Sequence, residues 1–288
     1  MIRLVVLALL LVLAACHGDA PRGDAHELVI GTEGAYPPWN FTRPDGSLGG
    51  FEPEYLRDLC ARLHRRCRMV AMDWDGMIGA LQTGKIDLIA DAVQITPERA
   101  GVLAFGRPYA LTTGVIATLR GGPLAGLADD GVTMDLDRNG PAFAAMTERL
   151  RGGLAGKVVG VELSGAFDTF LTQAFADRAG PGVSIRYYHT MGERDLDLLN
   201  GRIDATLEDE SYIRPLLATR DGAALVMAGP RLIGGSMGRG EALAFRRGDN
   251  ALRAGFDRVI GETLADGTVR RLGLKWFRMD ASPRADHP

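Results

Sequence analysis

The chain repeats itself. LVIGTE at 28–33 and KVVGVE at 157–162 are each an apolar run that ends in an acid two residues after a glycine. A second phrase recurs in the same order: LQTGKIDLIAD at 81–91 and LLNGRIDATLED at 198–209 each run helix end, glycine, basic residue, Ile-Asp, apolar run and acid. Short apolar runs punctuated by glycine read as buried strands. Two such strands in the same order in both halves limit the chain to two α/β lobes of similar plan. Strands alternating with helices imply mostly parallel sheets, and these bind ligands beyond the carboxyl ends of their strands. Glu33, Asp91, Glu162, Glu208 and Asp209 collect there. Any one of them alone reads as a solvated loop acid; five at corresponding positions read as a site.

The first repeat runs on into AVQITPER. Thr96 is a natural N-cap and Pro97 a natural first helical residue. Arg99 then falls near the third helical position, where the helix already carries partial positive charge. Free backbone N–H groups beside a guanidinium fork form a site for a carboxylate or phosphate. The alternative is an arginine that bends away to a surface acid.

The first sixteen residues stand outside the fold. Arg3 and the apolar run 4–13 form a signal peptide too short to span a bilayer. It closes on Leu13-Ala14-Ala15-Cys16, which looks like a lipobox, so a lipid on Cys16 would anchor the mature chain to a membrane; an ordinary signal peptide with an incidental cysteine is the alternative. Residues 17–26 have the composition of a tether. Cys60 and Cys67, close together in an exported chain, read as a disulfide. Its short loop limits the stabilisation to about 2 kcal/mol or less. The five histidines show no ligand spacing, so no zinc is expected. Asp135-Leu-Asp137-Arg-Asn139-Gly140 imitates the start of a calcium loop, but the twelfth position is Met146 where a bidentate Glu is needed, so no metal is expected. A formal net charge of −3 carries no basic excess and disfavours nucleic acid as a partner.

Along the chain, helices are expected at 54–63, 76–83, from Pro97 to about Leu103, and at 251–264, with a short one at 269–277. A strand is expected at 68–71. Residues 113–119 form an extended crossover, and 120–156 an extended Gly-rich insertion. Ser164 caps a helix carrying Phe167, Phe170, Leu171 and Phe175, mostly as core. Residues 228–240 are a Gly-rich return, 243–245 a last strand, and 281–288 a loose tail.

Taken together, GTEGAYPPWNF (31–41), GFEPEYLRDLC (50–60), DWDGMIGALQTGKID (73–87), ITPER (95–99), GRIDATLEDE (201–210) and the spaced GP, GRG, LRAGFDRVI, DGTV and KWF resemble the periplasmic solute-binding proteins of polar amino-acid ABC importers. The nearest members are the lysine/arginine/ornithine-, histidine- and opine-binding proteins. The resemblance covers about 28–277. It implies a two-lobed clamshell of the periplasmic-binding-protein type II, each lobe a mostly parallel sheet flanked by helices. Lobe one would be 27–110 and 241–280, and lobe two 111–240. It further implies that Arg99 pairs with a ligand α-carboxylate, that Tyr36 and Trp74 sandwich its side chain, that Asp209 takes the α-amino group and that Glu33 takes a distal cation. The first turn after Ser164 would add backbone donors. No cofactor and no catalytic residue is implied. The partners would be an amino-acid-like ligand and an inner-membrane ABC permease, with the protein a monomer.

Independently, one committed cation among several acids and two aromatics suits a zwitterion with an extra positive charge; Tyr36 and Trp74 as plain core residues are the alternative, and Trp39 reads as structural. The chain departs from the family pattern at Asp91, Ala92 and Gln94, where small hydroxyl residues or glycine are usual, and at Ala166, where a hydroxyl is usual. Glu162 replaces a neutral residue, and Phe167 is bulky for its place. The pocket should therefore be more acidic and differently shaped. Two other readings share the scaffold: a secreted enzyme resembling the cyclohexadienyl dehydratases, with Glu162 as its acid, and a ligand-sensing lipoprotein.

Overall fold

The computed structural model describes residues 26–163, 165–175 and 182–283. The signal peptide, Cys16, most of the tether, the Ser164 cap and the last residues of the tail lie outside them. Among the described residues no helix is long and apolar enough to cross a membrane.

In chain order the elements are β1 (Leu28–Thr32), β2 (Ala35–Tyr36), β3 (Asn40–Thr42), β4 (Leu48–Gly49), α1 (Phe51–Arg62), β5 (Cys67–Ala71), α2 (Trp74–Gln82), β6 (Leu88–Ile89), α3 (Pro97–Ala100), β7 (Ala104–Phe105), β8 (Gly114–Leu119), β9 (Thr133–Asp135), α4 (Pro141–Leu154), β10 (Val158–Glu162), α5 (Ala166–Phe175), β11 (Ser184–Tyr188), α6 (Met191–Leu199), β12 (Ala205–Asp209), α7 (Glu210–Leu217), β13 (Leu225–Ile233), β14 (Ala244–Phe245), α8 (Asn250–Ala265) and α9 (Thr268–Trp276). One sheet has the order β5-β1-β6-β14-β7, the other β11-β10-β12-β8-β13-β9, and β2-β3-β4 form a small third sheet. In each large sheet all the strands run one way except the strand where the chain enters from the other lobe: β14 is antiparallel to β6 and β7, and β8 to β12 and β13. The sheets are therefore mixed, because a chain that crosses over and returns comes back in the opposite sense.

The repeated sequence is a repeated structural device. Asp87 accepts the backbone N–H of Val29 at 2.9 Å, and Asp204 accepts that of Val158 at 2.8 Å. In both places the aspartate backbone N–H returns a bond to the same residue's carbonyl. The aspartate thus joins the start of β6 to β1, and that of β12 to β10. The glycine of each first phrase then makes room for the isoleucine of each second one. A Cβ on Gly31 would lie 2.5 Å from Ile86 Cδ1, and one on Gly160 would lie 2.6 Å from Ile203 Cδ1.

Several expectations are corrected. The 120–156 segment is not extended throughout: Pro141 opens a helix of 14 residues whose Leu150 and Leu154 enter the core of the second lobe. The Gly-rich return begins as strand, since β13 continues through Gly229 and Pro230 to Ile233 with a register shift between Ala228 and Leu232. The helix after Pro97 ends at Ala100, although Leu103 still donates to the Arg99 carbonyl. The tail is held at its start, where Ala281 is buried and its carbonyl accepts from Leu111. Cys60 and Cys67 are disulfide-bonded across the turn from α1 to β5.

At Gly160 the added Cβ would also meet Tyr188 and Arg194, at 3.0 and 3.1 Å. Gly160→Ala is therefore expected to cost about 1–3 kcal/mol by overpacking. Trimming the neighbour in Gly160→Ala/Ile203→Val should recover part of that loss. Urea unfolding of the double-mutant cycle measures both; additive costs would show that the two residues do not share the space.

Candidate functional site

The acidic strand ends of both lobes converge. A narrow space of 30 Å³ is lined by Glu33, Tyr36, Trp74, Asp91, Ala92, Gln94 and Arg99 from the first lobe, and by Glu162, Gly165, Ala166, Phe167 and Glu208 from the second. Ten of the eleven residues proposed from the sequence are thus together. The eleventh, Asp209, sits behind Tyr36 and Gln94, 2% exposed. Two wider spaces adjoin this one. One of 710 Å³ shares Trp74, Arg99, Gly165 and Ala166 with it, and one of 630 Å³ shares Glu33, Trp74 and Glu162.

Arg99 is positioned by its own short helix. Thr96 caps α3 by accepting the Arg99 backbone N–H at 3.2 Å, and the buried guanidinium lies 4.8 Å over the Trp74 ring. It donates to Gln94 Oε1 at 2.9 Å, so it does not bend away to a surface acid. Burial pulls its pKa down to about 10, against the pull of Glu162 and Glu98, so it stays charged at neutral pH.

Asp91 is held as scaffold. Its Oδ1 accepts from the Glu33 backbone N–H at 2.9 Å and from Asn40 Nδ2 at 2.8 Å. Asn40 also donates to Glu52, which accepts the backbone N–H of Ala92 and the hydroxyl of Tyr109. This buried network ties β1, β3 and α1 to Ala92, whose backbone has φ 45°; strained backbone of this kind persists only where its surroundings over-determine it. Asn40 and Glu52 lay within quoted motifs, but nothing in the sequence marked them as buried partners.

Across the cleft, Arg194 was missed altogether. It is wholly buried, paired with Glu208 and, at 2.9 Å, with Asp195, and it lies 5.2 Å over the Tyr212 ring. Burial works against its charge, but the two acids outweigh burial and hold its pKa above the usual arginine value. Tyr36 stacks on Tyr212 at 5.6 Å, and its single hydroxyl hydrogen is shared between Glu208 and Asp209, at 2.9 and 3.0 Å. Trp74 lines the space beside Arg99, while Tyr36, 6% exposed, both lines the space and packs in the core. Trp39 is structural as read: fully buried, with Nε1 donating to Ser211.

The acids exceed the cations, and protons make up part of the difference. Burial, then Glu208 and Asp73, pushes Glu33 up to about 7. Burial, then Glu33 and Glu208, raises Glu162 well above the carboxylate range, and its Oε1 is buried without a hydrogen-bond partner. Asp209 is raised to about 7 by burial and Glu208. Behind it, the Thr112 hydroxyl lies 2.6 Å from both Asp209 Oδ1 and Glu241 Oε1. A hydroxyl has one hydrogen to donate, so the second short contact needs a proton on a carboxyl. Asp209 and Glu241 share that proton: burial and their mutual repulsion push Glu241 up to about 8 as well. The imitation calcium loop has other partners: Asp135 and Asp137 both pair with Arg239.

Residues 28–279 match the bacterial extracellular solute-binding proteins, family 3. The chain belongs to this family. It is 31% identical over 274 residues to the octopine-binding periplasmic protein of Rhizobium meliloti, covering 89% of this chain and 92% of that one. It is 31% identical over 277 residues to the L-arginine-binding protein of Pseudomonas aeruginosa, covering 95% and 97%. An ancestral arginine-binding protein bound to arginine has the same fold, with a TM-score of 0.69 at 26% identity over 87% of this chain and 98% of that one. The central space of this structure, 30 Å³, is far smaller than the two spaces that adjoin it.

Acids with raised pKa values make stability fall as pH rises. Their contribution is complete below the unfolded carboxyl pKa and is lost as pH passes through about 7 for Glu33 and Asp209 and about 8 for Glu241. Thermal unfolding without ligand should show Tm falling between about pH 5.5 and about pH 8.5, and Glu241→Gln should fall less. A wild-type Tm that rises over this range would contradict the buried-acid assignment.

Proposed function

We propose that this protein binds a cationic amino acid of the arginine, ornithine, lysine or histidine type, or an arginine-derived opine, by closure of its two lobes, and delivers it to an ABC permease in the inner membrane. The charge of the cleft carries this reading. Among the described residues that line the central space, Arg99 is the one cationic side chain, against Glu33, Asp91, Glu162 and Glu208. Arg99 supplies the fork for an α-carboxylate, and Trp74, under that guanidinium, lines the same space. Glu33 and Glu162 form the end suited to a distal cation. The names of the relatives, octopine- and arginine-binding, support the same class. Closure excludes water and strengthens each charged contact, and higher affinity for the closed form drives the motion. Export with a lipid on Cys16 is part of the proposal; Leu13-Ala14-Ala15-Cys16 supports it.

The test is calorimetry on the chain lacking residues 1–16, refolded to remove carried ligand, against arginine, ornithine, lysine, histidine, octopine and glutamine. Saturable binding of cationic members with glutamine silent is the expected result. Arg99→Ala should weaken binding by about 2–5 kcal/mol, the cost of truncating one partner of a buried charge pair; intact affinity would refute the anchor. Because a bound cation favours the ionised acids, affinity should rise with pH through about 7 and binding should release protons, read as a dependence of the heat on buffer ionisation enthalpy. The unpartnered Glu162 oxygen favours one second reading, an acid for dehydratase-like chemistry. Product formed from prephenate or arogenate would establish it.

A further inference from the structure

The proposed binding mode puts a ligand's carboxylate on Arg99 and its ammonium on Asp209. One side chain already spans these two groups. Gln94 Oε1 accepts from Arg99 Nη1 at 2.9 Å, and Gln94 Nε2 donates to Asp209 Oδ2 at 3.1 Å. The orientation of the amide is dictated by Arg99, since a guanidinium only donates and must face the amide oxygen, which turns the amide nitrogen to Asp209. The amide therefore carries an acceptor and a donor on one carbon, facing a cation on one lobe and an acid on the other, as the head of an α-amino acid carries its carboxylate and ammonium.

We propose that Gln94 is the affinity-setting residue of the site, an internal stand-in for the ligand's zwitterionic head that a solute must displace to bind. Three further observations support this. Gln94 is 8% exposed and lines the central space, so it occupies volume that a ligand head needs. Asp209 does not line that space: its Oδ2 is covered by Gln94 and by the Tyr36 hydroxyl, and its Oδ1 by Thr112. An ammonium thus reaches Asp209 only after the amide has left. Finally, the backbone at Gln94 is tied down, bridged to Glu241 and followed by Ile95, whose N–H donates to Gly240. Displacement is therefore a rotamer change of one side chain and not a movement of the chain.

A displaced competitor has a signature that a ligand contact lacks. Its cost is the same for every ligand with the same head, whereas a contact to the ligand's side chain differs from ligand to ligand. The inference rests on the cationic amino-acid reading, and its test separates the two. Gln94→Ser and Gln94→Asn, which are too short to span Arg99 and Asp209, are compared with wild type by calorimetry with L-arginine and with L-ornithine, and by thermal unfolding without ligand. The expected result is that both variants bind L-arginine and L-ornithine more tightly, by about tenfold and by the same factor for each. Their ligand-free Tm falls, because Arg99 and Asp209 lose a shared partner. Weaker or unchanged affinity, a gain confined to one of the two amino acids, or an unchanged ligand-free Tm overturns the inference while leaving the binding reading intact. Silence of wild type and both variants toward both amino acids overturns the binding reading and this inference with it.

Discussion

The cleft depends on Arg194. It is a fully buried cation with Glu208 on one side, Asp195 on another and the Tyr212 ring beneath it. An ion in that position is tolerated only with close partners, and removing one partner of such a pair costs about 3–5 kcal/mol. Arg194 therefore fixes Glu208 at the strand end facing the cleft. Tyr212 donates to Asp195 at 2.5 Å, so the ring under the guanidinium cannot turn. Tyr36 from the other lobe then stacks on that ring and reaches Glu208 and Asp209 with its hydroxyl. One buried charge in the second lobe thereby sets the seat of an aromatic from the first. It does so without lining the central space.

The excess of acids over cations gives the cleft two ways to reach neutrality. One is to hold protons, as the raised Glu33, Asp209 and Glu241 do. The other is to hold a cation. The two compete, because a cation placed against Glu33 and Glu162 favours their ionised forms. Affinity and proton release are therefore parts of one equilibrium. The carboxyls that burial makes uncomfortable are the ones a cation would relieve.

The repeat was legible because its physics is local to a few residues. A glycine that admits an isoleucine, and an aspartate that bonds a strand backbone, must appear as those residue types at those spacings; Gly31 with Ile86, and Gly160 with Ile203, are the result. The strand-end acids were legible for the same reason. Arg194 was not. MGERDLDLL reads as a solvent-facing charged helix, and only the approach of Glu208 and Tyr212, 14 and 18 positions further on, buries it. The helix at Pro141–Leu154 is masked in the sequence by the glycines around it, although Pro141 is itself a first-turn signal. Asn40 and Glu52 were visible as residues, but their roles arise from a network that no spacing announces.

The site and the crossover share residues, which decides how a local change at the ligand can reach the whole molecule. Glu241 forms bridges with Gln94 and with Ala110, so the two segments that connect the lobes meet beside the amide spanning Arg99 and Asp209. Its side chain shares the Thr112 hydroxyl with Asp209. Asp209 is thus held from the cleft side by Gln94 and Tyr36 and from the crossover side by Thr112. In the proposed binding mode a ligand ammonium arriving at Asp209 would replace the first set of bonds. By adding positive charge it would also lessen the repulsion that keeps a proton on the Asp209–Glu241 pair. In that mode the head group of the ligand and the protonation of the crossover would be coupled through a single carboxylate, over the two hydrogen bonds of Thr112.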